Sequence, residues 1–387
     1  MRGRSLLSGR DLFIAAAFVA GGLITGAIGW IGHPLAFALG MAFPALWAFA
    51  PSRSIAALVA LAHFLGASRG LPAGVAIFFG TQFIIGLSLW LAASLTFVVV
   101  HALLWTSQGG SIRTLRFACA AVLMAVPPAG IVGWAHPITA AGALFPGWGW
   151  AGLAATFALL LAMTTRAWPI AAGIAGVAFA WSAASWSAPI EPAGWRGIDT
   201  AFGHDQAGYN QQLAAVRLVA DAARAGAAVA VLPESALGQW GPTTADLWHR
   251  ERADLDIAVL AGSAIFTAEG YDNVLVGLDR DGQRILYRQR MPVPVSMWQP
   301  WRPGGAGAYF FANPIIEFAG VKIAPLICYE QLIVWPILQS LWHKPDIIVA
   351  ASNAWWTGGS SIGPIQRASV QAWAALFGKS MVIAFNK

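Results

Sequence analysis

Long apolar stretches separated by short polar breaks fill the first half of the chain. Most of them have the roughly 17 to 25 residues that a helix needs to cross a bilayer, and no Asp, Glu, Lys or Arg interrupts them. This pattern predicts seven membrane spans, and a different division of residues 54–105 would give eight. The seven spans are predicted over 12–31, 34–50, 54–68, 74–105, 117–136, 148–164 and 167–187.

Beyond residue 197 the pattern changes, because short apolar runs begin to alternate with amphipathic segments. Residues 206–225 place Leu213, Val216 and Val219 on one face and predict a helix. Strands that alternate with helices predict an α/β domain with its functional side chains at strand ends. The predicted strands cover 228–232, 257–265, 273–279, 284–288, 321–327, 346–351 and 380–385, and the other helices cover 242–253, 330–342 and 363–377.

The two halves also differ in charge. Residues 1–190 carry eight arginines and one acid, a net charge of +7, whereas residues 191–387 carry 15 basic and 16 acidic side chains, a net charge of −1. Only 10% of all residues are charged, against about 25% in a soluble domain. Composition therefore predicts a transmembrane helical bundle over 1–190 and a soluble domain over 191–387. Direct nucleic-acid binding is not expected, because the basic excess lies in the apolar half.

The arginines of the first half predict its orientation. With seven spans, all but Arg69 fall on one side, which the excess of positive charge marks as cytoplasmic. The domain over 191–387 is then expected in the periplasm, on a multi-pass protein of the cell inner membrane, whereas eight spans would reverse it. The arginines on the predicted cytoplasmic side are Arg2, Arg4, Arg10, Arg53, Arg113, Arg116 and Arg166.

Two reactive side chains follow predicted strands of the second half. Glu234 comes after the strand 228–232 and is a candidate general base. Cys328 comes after the strand 321–327 and is a candidate nucleophile. Each residue also has a simpler interpretation, since a glutamate in this position often caps a helix and a cysteine often packs as a small apolar side chain. No cluster of histidines and cysteines has the spacing of a zinc site, and no cofactor is expected.

Four segments in order resemble the nitrilase superfamily: LPESAL around Glu234, YRQRMPVP around Gln289, GVKIAPLICYE around Cys328 and ASNAWW around Asn353. Together with the apolar first half, they resemble apolipoprotein N-acyltransferase, which moves an acyl chain from a phospholipid to a lipoprotein. The resemblance implies an αββα sandwich in which Glu234 is the base and Cys328 forms a thioester. It also implies substrate contacts by Tyr329, Glu330 and Asn353.

The sequence departs from that family at the third catalytic position. The family lysine falls on Gln289, and an amide donates hydrogen bonds but supplies no charge. Arg288 and Arg290 flank this position, but neighbours in a strand point to opposite faces. Met291 replaces the family histidine. The chain also ends after its last predicted strand, so the domain is expected to be shortened, without the final layer of the sandwich and without a returning membrane helix.

The segment 292–314 is a long loop rich in proline, glycine and aromatic residues. Long irregular loops are usually functional or disordered. Trp298 and Trp301 are therefore candidates for a lid over a lipid, and a packed aromatic loop is an equal alternative.

The whole layout also resembles the TraB-type conjugal transfer proteins of bacterial plasmids. This resemblance implies an accessory role in plasmid conjugation, with the conjugative transfer machinery as a partner. An active N-acyltransferase, with membrane phospholipid as acyl donor and a lipoprotein as acceptor, is the alternative.

Overall fold

The computed structural model describes residues 8–203 and 208–387. Arg2, Arg4 and the predicted helix start at residue 206 lie outside the described residues. The described part of the first half contains nine α-helices, several of them joined by 3-10 turns. Their bounds are Gly9–Gly29 (α1), Phe43–Ala48 (α2), Arg53–Ala67 (α3), Leu71–Phe79 (α4), Phe83–Leu104 (α5), Ser111–Ala125 (α6), Ala141–Leu144 (α7), Gly149–Ala162 (α8) and Trp168–Ala184 (α9).

Two of the described helices, α1 and α5, are long and apolar enough to cross a membrane, and α3 with α4 forms a third candidate with a 55° bend. Shorter apolar helices cover Pro34–Ala48, α8 and α9. The prediction of one continuous span over 74–105 is wrong. Helix α4 ends at Gly80, whose φ of +58° favours glycine, and α5 begins after the extended Gln82.

Side-chain contacts show which helix ends lie together at each of the two ends of the helical half. At one end, Arg53 donates to the carbonyl of Trp105 across 3.5 Å, the Arg113 guanidinium lies 5.1 Å from the Phe49 ring centroid, and Thr114 pairs with Thr164. At the other end, Arg69 donates to the carbonyl of Trp30 across 3.2 Å.

The second half is a two-sheet sandwich. The strands are Trp195–Gly197 (β1), Val229–Val231 (β2), Ala258–Phe266 (β3), Tyr271–Asp279 (β4), Gly282–Arg288 (β5), Ile316–Phe318 (β6), Val321–Ile327 (β7), Ile347–Asn353 (β8) and Ser380–Asn386 (β9). The helices are Tyr209–Arg224 (α10), Pro242–Glu251 (α11), Val334–Trp342 (α12) and Ile362–Phe377 (α13).

The strands form one sheet in the order β1-β2-β3-β4-β5 and a second in the order β6-β7-β8-β9. Apolar side chains such as Leu260 and Val349 fill the space between the sheets. Helices α10 and α11 cover the first sheet, and α12 and α13 pack on the second. The predicted αββα arrangement is therefore present. The expected loss of the final layer is wrong, because both sheets and both helical layers are in place.

The helical half and the sandwich share one apolar core that runs from Trp47 to Trp373 and Phe385. Helix α7 lies directly on α13, where a Cβ atom at Gly142 would be 2.0 Å from the carbonyl oxygen of Ala372. The set of helix ends near Arg69 is the one that faces the sandwich, since Gly70 lies against Ser360. This packing places the carboxyl ends of β2 and β7 near the helical half.

Candidate functional site

Cys328 directly follows β7, at the point where the strand turns into a 3-10 helix over Cys328–Leu332. Its φ is +47°, a left-handed backbone conformation that costs a non-glycine residue on the order of 1–3 kcal/mol and is common at functional sites. The side chain is 4% exposed. The Glu234 carboxyl group and the backbone N–H of Asn353 lie close enough to the thiol to shift its pKa. Gln366 donates its side-chain amide to the sulfur across 3.7 Å.

Glu234 lies at the end of β2 and is buried beside Cys328. Its Oε1 accepts a hydrogen bond from Nδ2 of Asn273 at 2.6 Å, and its Oε2 accepts one from the backbone N–H of Asn353 at 3.0 Å. Burial raises the pKa of Glu234 above its ordinary value. Burial also raises the pKa of Cys328 well above its ordinary value, and the nearby Glu234 carboxylate raises it further. The free pair therefore favours a neutral thiol.

Gln289 follows β5 and lies next to Glu234 and Cys328. Its side chain is neutral. Its Oε1 accepts from Nδ2 of Asn273 at 3.0 Å, and its Nε2 donates to the carbonyl of Ile327 at 3.1 Å. The side chain is fully buried. Its amide is thus held between β4 and β7, next to the nucleophile, and gives the thiolate no positive partner.

The two flanking arginines point elsewhere. Arg288 pairs with Asp272. Arg290 is fully buried and donates to the hydroxyl of Tyr287, the carbonyl of Pro325 and the hydroxyl of Ser340, each at 2.9 to 3.0 Å. Neither guanidinium is among the groups that shift the pKa of Cys328. In the described part of the chain, no cation is therefore placed beside Cys328, where the sequence resemblance implies a lysine.

Glu330 holds the loop after β5 against the end of β7. One of its oxygens accepts from the hydroxyl of Tyr287 at 2.7 Å and from the backbone N–H groups of Arg290 and Met291. The other accepts from the N–H of Ile327 at 2.7 Å. Burial raises the pKa of Glu330, and the charge of Arg290 opposes that rise. Both oxygens are occupied by protein donors, and these contacts hold the loop after β5 in position.

A cavity of about 350 Å³ separates Cys328 from the helical half. Helices α4 and α5 form one wall, the start of the loop after β5 forms a second, and α13 forms a third. Most of the lining groups are apolar, and hydroxyl groups come from Ser68, Thr96, Thr139, Ser296 and Ser369. The lining residues include Leu71, Val75, Phe79, Leu89, Ala92, Ala93, Val293, Val295, Ile365 and, at the polar end, Cys328, Tyr329 and Gln366.

The predicted substrate contacts divide into two groups. Tyr329 lines the cavity, and its hydroxyl donates to the carbonyl of Ile131 at 2.8 Å. Asn353 lies at the site through its contact with Glu234. Trp298 packs on Phe310 outside the cavity lining, and Trp301 is 63% exposed. Only the first part of the aromatic loop, Val293–Ser296, borders the cavity.

Sequence reasoning missed Asn273 and Gln366. Asn273 joins Glu234 to Gln289, and Gln366 contacts Cys328 from α13. The available signal for Asn273 was a polar side chain at the start of the apolar run NVLVGL. For Gln366 it was a polar residue on the buried face of an amphipathic helix.

Comparison with known proteins agrees with this architecture. The carbon-nitrogen hydrolase family matches residues 89–185 and 241–375. The second segment contains Gln289 and Cys328, and Glu234 lies between the two. Apolipoprotein N-acyltransferase of Azotobacter vinelandii is 29% identical over 247 residues, which cover 57% of this chain and 46% of that protein.

Two relatives match over nearly their full length. The conjugal transfer protein TraB of Agrobacterium fabrum is 50% identical over 403 residues, covering 100% of this chain and 96% of that protein. The probable conjugal transfer protein TraB of Sinorhizobium fredii is 52% identical over 374 residues, covering 94% of this chain and 96% of that protein. The chain therefore belongs to the TraB family of conjugal transfer proteins, within the carbon-nitrogen hydrolase superfamily.

Proposed function

We propose that this protein is a multi-pass inner-membrane protein that acts in plasmid conjugal transfer, with its carbon-nitrogen hydrolase domain in the periplasm. The family relationship to conjugal transfer proteins supports the process. The apolar helices support the membrane location. In this proposal, seven segments cross the membrane: α1, the segment Pro34–Ala48, α3, α5, α6, α8 and α9.

The domain binds a long apolar chain of a membrane lipid in the cavity next to Cys328. The single observation that carries this role is the position of the cavity. It lies between apolar helices and the sandwich, and it ends at a buried thiol that contacts a carboxyl group. Burial of an apolar chain there is favourable by about 25 cal/mol per Å² of apolar surface removed from water. Tyr329 and Gln366 supply the polar groups that orient a ligand.

Efficient catalysis is not required for this role, and the charge distribution argues against it. The reactive form of cysteine is the thiolate, and burial beside Glu234 raises the pKa of Cys328. Gln289 offers no positive charge to offset this. We therefore assign the site to lipid binding within an accessory factor, which docks to the transfer machinery.

Transfer frequency from donor cells tests this assignment. Ala93 lines the cavity, so Ala93→Trp fills the space and lowers the frequency, whereas Leu95→Trp, on the exposed side of the same helix, leaves it unchanged. Cys328→Ala and Glu234→Gln also leave it unchanged, with Cys119→Ala as the matched control. A large loss with Cys328→Ala would contradict a purely non-enzymatic role.

The second candidate function is N-acyl transfer, which is favoured by the intact contact between Glu234 and Cys328. In this reaction the thiol loses its proton to Glu234, the sulfur attacks a phospholipid ester, and the departing lysophospholipid oxygen takes that proton back. The resulting acyl thioester is then open to an amine acceptor. Mass spectrometry of purified protein incubated with phospholipid vesicles tests this step. Absence of a thioester at Cys328 would rule the acyltransferase out.

A further inference from the structure

Gln366 lies on the buried face of α13 and lines the cavity next to the thiol. The side chain is 1% exposed. Its Nε2 donates to Sγ of Cys328 across 3.7 Å. Its Oε1 is buried and has no hydrogen-bond partner within residues 8–203 and 208–387. One end of this amide is therefore occupied by the nucleophile, and the other end is an unused acceptor.

The hydrogen bonds of the thiol fix the orientation of this amide. A thiol has one proton, and the nearby Glu234 carboxyl group can accept it, while Nε2 of Gln366 lies 3.7 Å from the sulfur. The sulfur is then left as an acceptor toward Gln366. An NH₂ group faces the sulfur for this reason, so the carbonyl oxygen of Gln366 is the end that lacks a partner.

A buried acceptor without a donor costs free energy, and native structures leave few such groups without a reason. The side chains of α4 and α5 that line the cavity are apolar except that of Thr96, and no group in the described residues donates to the Gln366 oxygen. A ligand that enters the cavity is the group that can supply one. That ligand must carry an N–H or O–H group close to the carbon that lies over the sulfur.

We infer that Gln366 is a specificity-determining residue, which accepts a hydrogen bond from the N–H of a long-chain amide bound in the cavity. The inference rests on the proposed function of the cavity as a lipid site and adds the chemistry of the head of the ligand. A fatty ester has no hydrogen on its ester oxygens, so it leaves the Gln366 oxygen unpaired. A secondary amide with the same chain satisfies it.

Binding of three matched ligands to the full-length protein in nanodiscs tests this inference. N-methyldodecanamide has the N–H group, whereas methyl dodecanoate and N,N-dimethyldodecanamide lack it. The readout is protection of Cys328 from iodoacetamide in a Cys119→Ala background, measured as the ligand concentration that halves the rate. Comparing ligands within each variant removes any change in the reactivity of the thiol itself.

The wild-type site is expected to bind N-methyldodecanamide about tenfold more tightly than either other ligand, because only this ligand pairs the buried oxygen. Gln366→Met keeps the size of the side chain and brings that ratio to about one. If the wild-type protein binds the three ligands equally, the inferred role of Gln366 is wrong, while the lipid site itself still stands. This outcome is measured on the wild-type protein, so it does not depend on the folding of a variant. A preference that survives in Gln366→Met also overturns it. If no ligand protects Cys328, both the lipid site and this inference fail.

Discussion

Gln289 donates its side-chain amide to the backbone carbonyl of Ile327, 3.1 Å away and one residue before the candidate nucleophile Cys328. This contact ties the end of β5 to the end of β7. It places a neutral group at the position where the resemblance to the acyltransferases implies a lysine. The neighbouring Oδ1 of Asn273 is buried and has no partner among the described residues. A donor at position 289 with a positive charge would therefore meet two acceptors that are already in place.

Gln289→Lys is expected to make Cys328 more reactive. An ammonium group near the sulfur favours the thiolate and lowers the pKa of the thiol, which burial and Glu234 raise in the wild-type site. At any pH below that pKa, a lower value leaves more thiolate, so alkylation by iodoacetamide speeds up by about tenfold or more. The rate is measured from pH 6 to about pH 9 by mass spectrometry in a Cys119→Ala background.

The matched control is Gln289→Met, which keeps the length of the side chain without its charge. The Lys variant is expected to shift the pH profile of alkylation to lower pH, and the Met variant is not. Equal rates for the Lys variant and the wild-type protein would show that the missing cation does not limit this thiol.

Glu330→Gln is expected to destabilise the domain strongly. The NH₂ group that replaces one carboxylate oxygen cannot accept a hydrogen bond, so it would face either the N–H of Ile327 or the N–H groups on the loop after β5. Breaking a buried ion pair on one side costs about 3–5 kcal/mol, and Arg290 would lose its only nearby carboxylate among the described residues. Thermal unfolding of the purified protein in detergent measures the effect as a lower midpoint temperature.

Glu317→Gln provides the comparison, because Glu317 is exposed on the edge strand β6. It makes the same chemical change without removing a buried acceptor, and its midpoint is expected to match the wild-type value. If both variants have the same midpoint temperature, the buried hydrogen bonds of Glu330 do not stabilise the contact between the ends of β5 and β7.

The sequence predicts the sandwich more fully than the helical half. Long apolar strands such as β7 are recognisable because a buried strand is a continuous apolar run. The edge strands β1 and β6 have only three residues each, too few for any periodicity. The break between α4 and α5 falls within residues 54–105, whose division the sequence leaves open because apolar composition alone does not distinguish one long helix from two.

At the site, the sequence predicts residues that lie in a recognisable local segment, but not residues whose role depends on contacts with distant parts of the chain. Glu234, Gln289 and Cys328 could be aligned to a family pattern because each lies in a recognisable segment. Asn273 and Gln366 could not, because their roles depend on side chains 39 and 38 residues away in the chain. Glu330 belonged to the family pattern, but its contacts with Tyr287 and the loop after β5 were not visible in it.

The seven-segment topology makes a prediction about two surfaces at opposite ends of the molecule. Ser107 is exposed in the loop before α6, near the end that carries Arg53 and Arg113. Glu269 is exposed in the turn between β3 and β4 of the sandwich. Because the distribution of charge predicts that the arginine-rich end is cytoplasmic, the turn at Glu269 is expected in the periplasm.

Single cysteines test this arrangement in the full-length protein lacking Cys119 and Cys328. In intact spheroplasts, a membrane-impermeant maleimide is expected to label Glu269→Cys, and to label Ser107→Cys only after lysis. An eight-span chain would carry the sandwich in the cytoplasm, where Glu269→Cys is protected until the cells are broken. Protection of Glu269→Cys would therefore move the Cys328 site to the cytoplasmic side, away from any periplasmic lipid or lipoprotein partner.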